Sequence, residues 1–278
     1  MLATLLIVFR EVIEAGLIVG IVLAASKGVP RRSLWVAYGV AGGARGACRV
    51  AAFAGELESL FQGSGQELFN AAVLLLAVVM LTWHNVWMAG HGRQMARDMR
   101  AVGAQVAAGE RTLAALGIVV GVAVLREGSE VVLFLYGIAS QPGTTGVSLL
   151  TGGALGLAAG AATSALMYYG LLAIPAHKLF RVTSGLITLL AAGMAAQAVL
   201  FLQQAGYLQI LMGTVWDTSW LLPEDTIAGR LLHTLVGYSD APNGAQLVAY
   251  SLTIMAITVL MRVVNHKPKA VPVPLLAE

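Results

Sequence analysis

Phe9-Arg10-Glu11-Val12-Ile13-Glu14 lies near the middle of an apolar run at 2–25, and Leu125-Arg126-Glu127-Gly128-Ser129-Glu130 lies near the middle of another at 113–139. Both read R-E-x-x-E. One charge at the centre of a membrane helix costs about 2.5–3.5 kcal/mol on the insertion scale, so three approach roughly 8–10 kcal/mol per helix before pairing. Neither helix can turn that face to lipid. Helical positions i and i+3 lie about 60° apart with about 4.5 Å of rise, so the two carboxylates of each motif share one face. Arg10 and Glu14, and likewise Arg126 and Glu130, are four apart and spaced to pair.

The rest of the chain fits a bilayer. Of 278 residues, 58% are hydrophobic and 11% charged, against about 45–50% and about 25% in a soluble domain. That composition excludes a soluble globular protein. The pI of 9.2 would suit a nucleic-acid binder only if the cations formed one patch, and they are spread along the chain. The length allows seven spans of roughly 20 residues and leaves no room for a folded water-soluble domain. The runs fall at about 2–25, 34–54, 68–90, 113–139, 147–172, 182–204 and 245–264, giving one transmembrane domain over 1–266. A helical connector is expected at 91–112, a longer link at 205–244, and disorder at 267–278, where Pro268, Pro272 and Pro274 fall. Cys48 is the single cysteine, which excludes a disulfide framework or a cysteine-based metal site within the chain. The first run has its first cation at Arg10 and not at its start, so it reads as a retained span and not as a secretory signal.

Cytoplasmic loops retain Lys and Arg. Lys27, Arg31 and Arg32 follow the first span, Arg93, Arg97, Arg100 and Arg111 the third, Lys178 and Arg181 the fifth, and Arg262, Lys267 and Lys269 the seventh. Twelve cations thus gather on one side and only Arg230 on the other, with Arg10, Arg45, Arg49 and Arg126 in the membrane. The expected topology has the N-terminus outside and the C-terminus in the cytoplasm. Glu56, Glu58, Glu67, Asp217, Glu224, Asp225 and Asp240 then face outside and attract cations to that surface.

Four glutamates against two arginines leave the membrane centre short of two positive charges. Arg45 and Arg49 could supply them, which would make the motifs structural ion pairs. The alternative is a metal site, because hard cations prefer oxygen ligands and carboxylates on facing helices hold iron in bundle cores. Spans 1 and 4 run in opposite directions, so spans 1–3 and 4–6 read as an inverted repeat followed by a seventh helix, an architecture common among secondary transporters. The fold class expected is therefore an all-α integral membrane protein of seven transmembrane helices. A membrane di-iron oxidase is the competing use of such carboxylates, but its sites pair Glu with Glu-x-x-His, which this sequence lacks.

Both motifs, the Gly63-Ser64-Gly65-Gln66-Glu67-Leu68-Phe69 segment, the Trp83-His84-Asn85-Val86-Trp87-Met88 run and the series from Trp216-Asp217-Thr218-Ser219 to Leu235-Val236-Gly237-Tyr238 resemble the oxidase-dependent iron permeases, the iron/lead transporter family, and its bacterial EfeU-type branch most. The resemblance implies a multi-pass permease of the plasma membrane, in bacteria the inner membrane. It implies import of iron, as Fe(III) after oxidation at the outer face, with Glu11, Glu14, Glu127 and Glu130 as ligands. A separate ferroxidase or iron-delivery protein on the outer face would be its partner, alongside membrane lipid. Iron is substrate here, with no permanently bound cofactor and no enzymatic activity expected. Carboxylates also bind Fe(II), Mn(II) and Pb(II), which keeps other divalent cations as an alternative. Arg10 and Arg126 are expected to balance the charge of the empty site.

Other residues read two ways. His84 sits late in the third span beside Trp83 and Trp87 and is either a packed or interfacial residue or an exit-side ligand. Glu67 is either a helix-terminal acid favoured by the dipole or a ligand on the way in. Asp217, Asp225 and His233 are candidates for a capture site in the outer loop. The ten methionines are scattered and read as packing.

Overall fold

The computed structural model describes residues 1–60, 66–141, 143–170 and 176–265. Their helices are α1 (Leu2–Ala25), α2 (Arg32–Leu60), α3 (Gln66–Ala107), α4 (Ala114–Ala139), α5 (Gly146–Tyr168), α6 (Ala176–Gln204), α7 (Ile227–Val236) and α8 (Gly244–Asn265). Long helices satisfy every backbone group within the segment, which a bilayer demands. Among the described residues four stretches are long and apolar enough to cross one by length and composition: Gln66–Gly92, Gly146–Tyr168, Phe180–Gln204 and Gly244–Val264. The molecule is an all-α membrane protein. The expectation of disorder at 267–278 and the Gly63–Gly65 segment lie outside the described residues.

The helical connector is not separate. α3 continues through it to Ala107, and its far half lies across the end of α1, where a Cβ on Gly103 would meet Ala25 Cβ at 2.6 Å and Val22 O at 3.2 Å. Val106 there joins Ile18, Val22, Val36, Leu116 and Val120 in a small apolar core. The link at 205–244 contains α7, which hydrophobic periodicity alone did not anticipate. Its signals are local: Thr226 accepts from Gly229 N at the N-cap, and Gly237 ends the helix at φ 68, a left-handed conformation that glycine adopts without a Cβ penalty.

Glycine sets the helix pairing. α5 lies on α1 with Gly152, Gly156 and Gly160 against the carbonyls of Met1, Leu5 and Phe9, where an added Cβ would come within 2.3, 2.6 and 2.9 Å. α2 lies on α4 with Gly39 and Gly43 against the carbonyls of Gly117 and Gly121, at 2.4 and 2.6 Å. Small residues four apart let backbones approach this closely in lipid. α3 packs along α6, where Asn85 Nδ2 donates to Ser184 O at 3.2 Å and Thr188 Oγ1 at 3.3 Å. α1, α3 and α4 all touch one another, and the charged motifs meet at that junction.

Candidate metal centre

α1 delivers Arg10, Glu11 and Glu14 to the interior, all buried. Arg10 Nη1 donates to Glu11 Oε1 at 3.2 Å, and Arg10 Nη2 lies 3.0 Å from Glu14 Oε1. One guanidinium therefore holds both carboxylates of its own motif. On α4, Arg126 Nε donates to Glu130 Oε1 at 3.1 Å, whereas Glu127 is buried and has no ion-pair partner among the described residues. The two arginines differ in setting. The Arg10 side chain is 2% exposed and that of Arg126 31%, the latter with its guanidinium 4.3 Å above the centre of the Trp87 ring.

His84 of α3 occupies the space between the motifs. Its Nε2 lies 3.3 Å from Glu14 Oε2 and 3.8 Å from Glu11 Oε2, and its Nδ1 contacts Glu130 Oε2. The ring is 2% exposed and stands edge-on to buried Phe134, centroids 6.5 Å apart. Asn85, one residue on, ties this part of α3 to α6 and so fixes the depth at which His84 sits. The imidazole is packed at the junction itself and not at an exposed interface. The available signal was a His-Asn pair inside an apolar span, since polar groups there are functional by default.

Glu11, His84, Glu127 and Glu130 each present one ligand atom, all within 4.8 Å of one another. Oε2 of Glu11 and of Glu127 is buried without a hydrogen-bond partner among the described residues, and the His84 nitrogens reach Oε2 of Glu14 and of Glu130 as ion-pair contacts without hydrogen-bond geometry. Buried polar atoms of this kind are costly unless something binds them. Three carboxylates and one imidazole converging on a space of this size can coordinate one transition-metal cation.

The other candidates stand apart. Glu67 is exposed in the first turn of α3, 17 residues before His84 and thus about 26 Å along the helix. Asp217 is exposed and accepts from Ser219 N at 2.9 Å and Ser219 Oγ at 2.6 Å, which is local turn chemistry. Asp225 meets Arg230 through its backbone carbonyl, at 2.8 and 2.5 Å, and not through its carboxylate. His233 Nδ1 lies 2.9 Å from Glu224 Oε1 and 2.8 Å from Tyr238 O, while Asp240 Oδ2 accepts from Glu224 N at 3.0 Å. These contacts organise the 205–244 link, and they bring none of its acids to the α1–α3–α4 junction. Arg45 and Arg49 are exposed on α2. Residues two apart point about 200° from each other, so the packing of Gly43 and Ala47 on α4 turns Arg45 and Arg49 away from the carboxylates.

A buried cluster of paired carboxylates and an imidazole within a bundle of membrane helices is an arrangement that can hold a metal ion inside an integral membrane protein. The sequence profile of the iron permease FTR1 family matches residues 1–265, and the chain belongs to that family. It is 30% identical over 263 residues to the ferrous iron permease EfeU of Escherichia coli O157:H7, covering 92% of this chain and 93% of that one. The Yersinia pestis protein of the same name is 29% identical over 269 residues, covering 94% and 93%, and a putative inactive ferrous iron permease EfeU of E. coli K12 is 30% identical over 264. No solved structure matches the chain. Iron transport is the activity of the family, with the ion as substrate.

Proposed function

We propose that this permease imports iron through the α1–α3–α4 junction, with Glu11, Glu127, Glu130 and His84 as ligands and Glu14 beside them, held by Arg10 and His84. The single observation that carries this reading is the convergence of four ligand atoms within 4.8 Å in a buried space. In the empty site Arg10 and Arg126 neutralise two of the four carboxylates, and an arriving cation supplies the remaining positive charge. The carboxylate-rich set suits Fe(III) delivered after oxidation at the outer face by a separate ferroxidase. A second reading, transport of Fe(II), is favoured by the borderline nitrogen donor of His84 and agrees with the names of the relatives.

The protein in this reading crosses the plasma membrane seven times, through α1–α6 and α8, with the N-terminus outside and the C-terminus in the cytoplasm. The glycine contacts support an inverted repeat of α1–α3 and α4–α6. Gly156 meets Leu5 O, Val8 Cβ and Phe9 N, and Gly43 meets Gly121 O, Val124 Cβ and Leu125 N. The same shift of 116 positions relates those α1 and α4 atoms, and it also relates Arg10 to Arg126. Purified protein in vesicles should take up radioactive iron in an assay with three arms: Fe(II) under reductant, chelated Fe(III), and Fe(II) with added ferroxidase. Uptake only in the third arm supports oxidation-coupled import, uptake in the first supports Fe(II), and uptake in none overturns the transport reading.

A further inference from the structure

α1 and α5 touch closely at Gly16, where an added Cβ would fall 2.2 Å from Ser164 Oγ, and part beyond it. A cleft of about 430 Å³ opens there between Gly20 and Ala24 of α1 and Met167 and Tyr168 of α5, with Arg100 of α3 also lining it. That volume lies within the range of small-molecule sites, about 300–1,000 Å³. Helix packing accounts for Gly16 but not for Gly20, whose Cβ would meet the Tyr168 side chain at an ordinary 3.5 and 3.9 Å. The small residue therefore leaves space that no described residue fills.

The charge at this cleft is specific. Arg100 is exposed and has no ion-pair partner among the described residues, while Asp98 nearby accepts instead from Gln94 Nε2 at 2.7 Å. Lys27, Arg31, Arg97 and Arg111 are also exposed around this end of the bundle. Tyr168 and Tyr169 form an edge-on pair beside it, the amphipathic aromatic placement typical of a membrane–water boundary. α5 has only 17% of its span buried, which leaves most of that helix for lipid to cover.

We infer that the α1–α5 cleft binds an anionic phospholipid, with acyl chain along Gly20, Ala24 and Met167 and headgroup phosphate on Arg100. A second copy of this chain is disfavoured as occupant because it would bring the same basic collar against Arg100. An arginine fork matches phosphate geometry, and an anionic headgroup, unlike a zwitterionic one, brings no cation of its own against Arg100. The site is separate from the carboxylate junction, so its test does not depend on iron transport.

Native mass spectrometry of the full chain, with phosphatidylglycerol or phosphatidylcholine of identical acyl chains, reads the occupancy directly. Phosphatidylglycerol should be retained in preference. Arg100→Gln should lower its retention roughly tenfold, the loss of about 1.4 kcal/mol. Arg100→Lys should retain most of it, and Arg97→Gln, outside the cleft, all of it. Gly20→Leu should exclude both lipids by filling the space. Equal retention of the two lipids, no effect of Arg100→Gln, displacement by inorganic phosphate alone, or a Gly20→Leu variant that changes oligomeric state and not lipid count would each overturn the assignment.

Discussion

His84 Nε2 lies 3.3 Å from Glu14 Oε2, and this contact joins α3 to the first R-E-x-x-E motif while the opposite ring nitrogen meets Glu130 of the second. The imidazole is thus the only described side chain that touches carboxylates of both motifs directly. His84→Gln should insert normally and lose most iron uptake, because the amide cannot supply nitrogen donors to both sides. Binding of iron to the purified variant, followed by calorimetry, should fall in parallel. Parental binding would place His84 outside the ligand set.

Glu127 and Glu130 should respond differently to Glu→Gln. Glu130 is ion-paired with Arg126, whereas Glu127 faces no cation partner among the described residues. Removing the Glu127 charge therefore relieves repulsion in the empty protein, and thermal unfolding should show stability equal to or above the parent. Glu130→Gln should destabilise the empty protein by leaving Arg126 without its anion. Both variants should lose most iron uptake, as should Glu11→Gln and Glu14→Gln. Parental uptake by a double Glu14→Gln, Glu130→Gln variant would leave the structural ion-pair reading standing.

The two motif arginines should also differ. Arg10 bridges two carboxylates in a closed site, and Arg10→Lys loses the planar fork that does so. Arg126 makes one carboxylate contact and stacks on Trp87, an interaction of about 0.5–2 kcal/mol. Arg126→Lys should therefore reduce uptake partially, and Trp87→Leu by a similar factor, while Arg10→Lys is the more damaging. Uptake rates at saturating iron decide the ranking.

Arg45 and Arg49 point away from the centre, so replacing both with Leu should leave the pH dependence of iron binding unchanged. Titrations of affinity against pH in parent and variant would show it. A shift toward greater acid sensitivity would mean that these arginines act on the carboxylates after all.

The 205–244 link should be pH-dependent. The Glu224 carboxylate beside His233 raises the imidazole pKa above its ordinary value of 6.5. With the folded value above the unfolded one, the stabilisation is fully present below about 6.5 and is lost as pH rises through the raised value. The difference in thermal stability between the parent and Glu224→Gln should be largest below about pH 6.5 and shrink in alkaline solution. A difference that grows with pH would reverse the assignment.

Two charged motifs inside apolar runs were enough to determine, from sequence alone, a membrane protein whose charged faces turn inward, because lipid leaves no other place for them. The sequence also carries the shift of 116 positions between the motifs, as a repeat of residues. What it could not carry is which faces meet. Period 3.6 places His84 on a face of α3, but only the tie from Asn85 to α6 and the packing of Phe134 decide that this face looks into the junction. Gly and Ala are small on every side of α2, so hydropathy does not orient that helix, and the close approach of Gly39 and Gly43 to α4 decides that Arg45 and Arg49 point outward. The inequality of Glu127 and Glu130, alike in sequence, arises the same way: His84 from another helix meets Glu130 in direct contact, whereas no cation among the described residues lies within ion-pair distance of Glu127.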